Sequence, residues 1–368
     1  MPKSLLILIL LAIQFGASTW ALAQNQLDSS QVWRNETSVR YHRGFLFLHR
    51  QGLEHLSEDA SNGVQVDFSW QTLGKEPWHQ AYNYPDVGLS LIYLDFGNPR
   101  LGNGIGLYPF YRLNFLSNPK YQWNLQMGGG LGFITEKWTR DNNYKNVMVS
   151  SNWNVCIGIQ TEFAWEVSER FQLKTGASFI HFSNGSTRIP NLGINIPTVS
   201  LGVEYAFQPI NTGYKKSEPL NIPNNELVLT LSGFFKTVEA LGEFYEAGTA
   251  RIEYGTFTKN QKNRFHGSLD IMRNGGLRRE FKDESPKGYE LWQLGVFAGY
   301  SIVFGKGEIL MGIGSYVYAA KSPEGLIYNR AGYRYRWNDK WMANIVLKTH
   351  FFKADYFEFG IARQLWKN

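Results

Sequence analysis

Apolar and polar residues alternate along most of this chain with a period of two. Val199, Leu201, Val203, Tyr205 and Phe207 alternate with Ser200, Gly202 and Glu204. Phe265, Gly267, Leu269 and Ile271 alternate with His266, Ser268 and Asp270, and Leu227, Leu229 and Leu231 frame Thr230 and Ser232. Successive strand side chains point to opposite faces, so these segments are strands with one apolar and one polar face. The pattern predicts strands near 37–49, 62–71, 87–97, 104–114, 121–136, 153–167, 170–183 and 195–207. A second set falls near 226–236, 248–258, 264–273, 290–304, 307–320, 329–338, 341–352 and 356–366. Each set holds eight candidates, the even number that closed membrane barrels favour.

Composition separates the two folds that such strands can build. The chain has 25 Phe, 20 Tyr, 12 Trp and 37 Gly, and a mean hydropathy of −0.31. That is too polar for a bundle of membrane helices, and no run after residue 23 has the length and apolarity of one. A soluble exported β-sandwich fits the strands but not the wide aromatic bands. The expected fold is therefore all-β: an antiparallel transmembrane β-barrel of the outer-membrane type, with apolar outer faces and aromatic girdles. The first eight strands form an eight-stranded unit, followed by about eight more, in one large barrel or two.

The expected organisation follows. Residues 1–23 read as a secretory signal peptide, with Lys3 before the apolar run Leu5–Ile13 and Ala21-Leu22-Ala23 as its cleavage site. Residues 24–208 form the first barrel region, and 209–225, polar and turn-rich with Pro209, Gly213, Pro219 and Pro223, a linker or long loop. Residues 226–368 form the second set of strands. Leu173-Lys174-Thr175 recurs as Leu347-Lys348-Thr349, a faint sign of a degenerate repeat that puts Lys353 or Asp355 where the first half has His181. The net charge of +6 is spread along the chain, and no basic run suggests nucleic acid. The lone Cys156 excludes an internal disulfide and reads as a small packed hydrophobe.

Candidate chemistry is concentrated in His181-Phe182-Ser183-Asn184-Gly185-Ser186, followed by Pro190-Asn191-Leu192-Gly193-Ile194-Asn195. A histidine two residues from a serine on one strand shares its face, which suits a general base and its nucleophile. Asn184-Gly185 alone would read as a turn after a strand. Phe171, Leu173, Ala177 and Phe179 share the parity of His181 and Ser183, and Asn195 shares that of Val199, Leu201 and Val203. All three polar side chains thus fall in the outward, lipid-facing series; Ile180 breaks the polar inward series. Polar groups on a lipid face need a functional reason, and an enzyme whose substrate arrives through the bilayer supplies one. The other histidines, His42, His49, His55, His79, His266 and His350, show no ligand spacing, so no metal site is expected.

The spacing of His181, Ser183, Asn184, Pro190, Asn191 and Gly193 resembles the lipid A 3-O-deacylases, the PagL-like acyloxyacyl hydrolases of Gram-negative outer membranes. The resemblance covers about residues 35–208. It implies a cofactor-free, metal-free serine esterase in the outer membrane that takes lipid A or lipopolysaccharide as substrate. His181 and Ser183 match the family's catalytic pair. The triad's acidic residue falls at Asn195, which here can orient an imidazole but brings no charge. Glu204 is the nearest acid and has the opposite parity. Asn184, Gly185, Asn191 and Gly193 are the candidates for oxyanion stabilisation or support of the motif. Two other readings stay open: a non-catalytic barrel, porin-like or structural, and an esterase acting on another membrane lipid.

Overall fold

The computed structural model describes residues 33–117, 120–209, 224–259, 261–281, 285–351 and 353–368. The expected signal peptide and nearly all of the expected 209–225 linker lie outside the described residues. Sixteen strands among the described residues form two closed antiparallel barrels of eight, not one of sixteen.

The first barrel consists of β1 (Trp33–Gly44), β2 (Ser61–Thr72), β3 (Asp86–Asp95), β4 (Asn103–Ser117), β5 (Tyr121–Ile134), β6 (Trp153–Glu166), β7 (Phe171–Ser183) and β8 (Ile194–Ala206). Each strand pairs with the next, and β8 closes on β1. Val199, Leu201 and Val203 point outward and are 66%, 59% and 52% exposed. An apolar belt of that kind has no place in water and suits lipid. Trp33, Trp70, Trp123, Trp165 and Phe171 crowd the end that carries the short turn between β6 and β7. The longer connections 45–60 and 135–152 lie at the opposite end, where β7 finishes.

The inside of this barrel has two zones. Towards the short-turn end it is ionic: Arg112 reaches Asp86 at 2.9 Å, Glu204 at 3.1 Å and Asp67 at 3.3 Å, and Lys174 reaches Glu204 at 2.6 Å and Glu162 at 2.9 Å. Towards the other end it is apolar, with Ile180, Phe182, Ile194, Ile196, Phe96, Tyr108 and Cys156 in one buried cluster. Ile180 therefore keeps its inward parity, because the interior itself changes from ionic to apolar along β7. Glycines make room for this plug. A Cβ at Gly158 would sit 2.6 Å from the Tyr108 hydroxyl, and one at Gly132 would sit 2.8 Å from the Phe182 ring. Gly128, Gly129 and Gly130 lie in β5, where a Cβ at Gly130 would meet the backbone of Leu107 and Tyr108.

The start of β1 falls earlier than expected, at Trp33 instead of residue 37, and the strand ends at Gly44. Residues 45–49 run on without β2 as a partner. They follow β8 through the Phe45 N–H to the Pro197 carbonyl (3.3 Å) and the Phe47 N–H to the Asn195 carbonyl (2.9 Å).

The second barrel runs β9 (Asn225–Lys236), β10 (Tyr245–Phe257), β11 (Asn263–Asn274), β12 (Trp292–Phe304), β13 (Gly307–Ala319), β14 (Ile327–Arg336), β15 (Trp341–His350) and β16 (Lys353–Lys367), with β16 closing on β9. Its interior is again ionic: Arg330 binds Glu358 at 2.8 Å, Arg334 binds Glu253 at 2.8 Å and Arg264 binds Glu226 at 2.9 Å. Lys348 points inward on β15 to Asp355 at 2.7 Å, much as Lys174 points inward on β7. The Leu-Lys-Thr overlay fails beyond this point, because β15 stops at His350 and Asp355 already belongs to β16. By its contacts, the segment Asn184–Asn191 groups with this second unit, whereas the chain up to Ser183 and from Leu192 groups with the first.

Candidate active site

The register of β7 and β8 assembles the site. His181 and Asn195 are direct cross-strand partners, so their side chains leave the sheet side by side on its outer face. Ser183 follows two residues on, with the same parity, and its side chain is folded against the imidazole, leaving the residue 8% exposed. The Ser183 Oγ lies 2.9 Å from His181 Nε2, and the Asn195 Oδ1 lies 2.7 Å from His181 Nδ1. With the Asn195 amide in this orientation, the contacts fit one tautomer. Asn195 Oδ1 can only accept, so Nδ1 carries the proton and Nε2 presents its lone pair to the serine hydroxyl. A serine, an oriented neutral imidazole and a group that holds the imidazole are what nucleophilic acyl transfer requires.

Glu204 takes no part in this arrangement. It faces the barrel interior, bound to Arg112 and Lys174. Its opposite parity carries it through the sheet, away from the imidazole.

The four residues expected to support the motif divide between two places. Gly193 lies under the imidazole with φ +83°, and a Cβ there would come 2.6 Å from His181 Cε1. Its N–H donates to the Met148 carbonyl at 2.8 Å, which ties the start of β8 to the 135–152 connection. Asn184 and Asn191 bind each other, the Asn184 N–H donating to Asn191 Oδ1 at 3.1 Å. Gly185, at φ +59°, packs against Phe357. In the same segment Ser186 Oγ donates to the Ala354 carbonyl at 2.8 Å.

One residue escaped the sequence reading. Asn195 Nδ2 lies 3.3 Å from Nδ1 of His49, in the segment that follows β1. His49 shares the outward parity of Val39, Tyr41 and Phe47, and that was the available signal. It becomes informative only once β1 is known to close on β8.

Residues 62–204 match the family model for lipid A 3-O-deacylase (PagL), and residues 225–367 match that for the acyloxyacyl hydrolase C-terminal domain. No curated protein matches the chain. Among solved structures, the chain is similar to the outer membrane enzyme PagL at 16% identity, covering 45% of this chain and 97% of that one with a TM-score of 0.34. It is also similar to Neisserial surface protein A at 9% identity, covering 47% of this chain and 96% of that one with a TM-score of 0.32.

Proposed function

The chain carries a lipid A 3-O-deacylase (PagL) family domain followed by an acyloxyacyl hydrolase C-terminal domain, and from that premise we propose that it is an outer-membrane serine esterase that removes an ester-linked acyl chain from lipid A. The observation that carries the proposal is the contact of Ser183 Oγ with His181 Nε2 at 2.9 Å, on the outer face of a membrane barrel. An outward site is open to a lipid that diffuses laterally. Its place at the end with the longer loops, which in such barrels is extracellular, suits a lipopolysaccharide of the outer leaflet.

In the proposed reaction His181 Nε2 takes the Ser183 proton as Oγ attacks the acyl carbonyl. The tetrahedral intermediate collapses, His181 returns the proton to the departing sugar oxygen, and the acyl group stays on Ser183. Water, deprotonated by the same nitrogen, then releases the fatty acid and restores the serine. Asn195 holds the imidazole in register throughout. Gly193 supports the ring from below, and Asn184, Gly185 and Asn191 shape the loop that follows the nucleophile. No step calls for a metal or cofactor.

A porin-like role finds little support in the first barrel, whose interior is filled by ion pairs and an apolar plug, as eight-stranded barrels allow. The test is mass spectrometry of lipid A from cells that make the wild type, His181→Ala or Ser183→Ala. The expected result is loss of one acyl chain with the wild type alone. Intact lipid A in all three, with the protein folded in the outer membrane, would overturn the proposal.

A further inference from the structure

We propose that His49 is a positioning residue that sets the orientation of the Asn195 amide and, through it, the tautomer of His181. The inference rests on the catalytic reading of Ser183 and His181. A carboxylate offers an acceptor at both ends and needs no orienting partner. A carboxamide has one acceptor and one donor end of nearly the same shape, so something must select which end faces the imidazole. If the amide nitrogen faced His181, Nδ1 would have to accept, the proton would move to Nε2, and no lone pair would face Ser183.

Among the described residues, His49 stands where it can make that selection. His49 Nδ1 lies 3.3 Å from Asn195 Nδ2. With its proton on Nε2, neutral His49 accepts from the amide nitrogen and leaves Oδ1 for His181. The hydrogen-bond polarity then runs one way: Ser183 donates to His181, His181 donates to Asn195, and Asn195 donates to His49. The His49 segment is not placed by that contact alone. The backbone of Asn195 accepts from the Phe47 N–H at 2.9 Å, and Pro197 accepts from the Phe45 N–H at 3.3 Å. Residue 49 is thus delivered to Asn195 by two rungs of backbone pairing.

The experiment is a double-mutant cycle on purified full-length protein in detergent micelles with lipid A as substrate, together with ring-15N NMR of its histidines. His49→Ala is expected to lower kcat by about two- to tenfold with KM unchanged, the effect of losing one orienting hydrogen bond. His49→Asn, whose Oδ1 restores an acceptor near the position of Nδ1, is expected to recover most of that loss. In the Asn195→Asp background His49→Ala is expected to have no effect, because a carboxylate needs no selection. Equal losses in both backgrounds would overturn the proposal. The NMR arm needs no turnover: His181 is expected in its Nδ1–H form in the wild type and as a mixture in His49→Ala. An unchanged tautomer would overturn the proposal. If the tautomer depends on His49 but lipid A is never cleaved, the positioning stands and the proposed function fails.

Discussion

On the proposed mechanism, replacing Asn195 by Asp should raise the rate of deacylation, and by an amount that the geometry limits. In a serine-protease triad, exchanging Asp for Asn lowers the rate by about 10⁴, largely because the imidazole adopts the wrong tautomer. The reverse exchange here cannot return all of that. Asn195 already presents Oδ1 to His181 Nδ1 at 2.7 Å, and Nε2 already faces Ser183 at 2.9 Å. The tautomer is in place, so the gain is confined to stabilising the imidazolium that forms as the serine proton transfers. A hydrogen bond to a charged partner is worth about 1–2 kcal/mol more than a neutral one, which corresponds to roughly a 5- to 30-fold rise in kcat. Asn195 is half-buried, so some of the carboxylate's benefit is lost to its own solvation. The assay is initial-rate release of fatty acid from lipid A in mixed micelles, with heat-modifiable gel mobility to confirm a folded barrel. A folded Asn195→Asp protein with kcat at or below that of the wild type would refute the assignment of Asn195 as the residue that holds the base.

Two further outcomes test the surroundings of the site. Gly193→Ala should leave the barrel folded but lower kcat at least tenfold, since its backbone at φ +83° disfavours a side chain by about 1–3 kcal/mol and the new methyl would press on His181 Cε1; activity equal to wild type would remove Gly193 from the support of the imidazole. Arg112→Ala should lower unfolding stability in urea by about 3–5 kcal/mol, because Asp86, Glu204 and Asp67 lose the cation they share inside the barrel; a loss below about 1 kcal/mol would mean that water already compensates those carboxylates.

What the sequence made legible was whatever depends on neighbours along the chain. All sixteen strands follow from alternation, because a period of two is a local property and each barrel wall has an apolar outer face. The outward direction of His181, Ser183 and Asn195 follows from the same parity. The break at Ile180 was visible but unreadable, since its meaning depends on the interior changing from ion pairs near Lys174 to the apolar cluster around Phe182. The number of barrels was not legible for a different reason. Whether β8 pairs with β1 or with a later strand is a choice between surfaces of similar pattern, and it is made by closure of the whole sheet. That same pairing decides the composition of the site. Only closure of β8 on β1 carries the chain after Gly44 alongside Pro197 and Asn195, and with it His49, which lies 146 residues away in sequence. The amide at position 195 therefore obtains its orienting partner from the seam of the barrel. A substitution that loosened that seam without touching His181 or Ser183 would be felt first in the tautomer of the base.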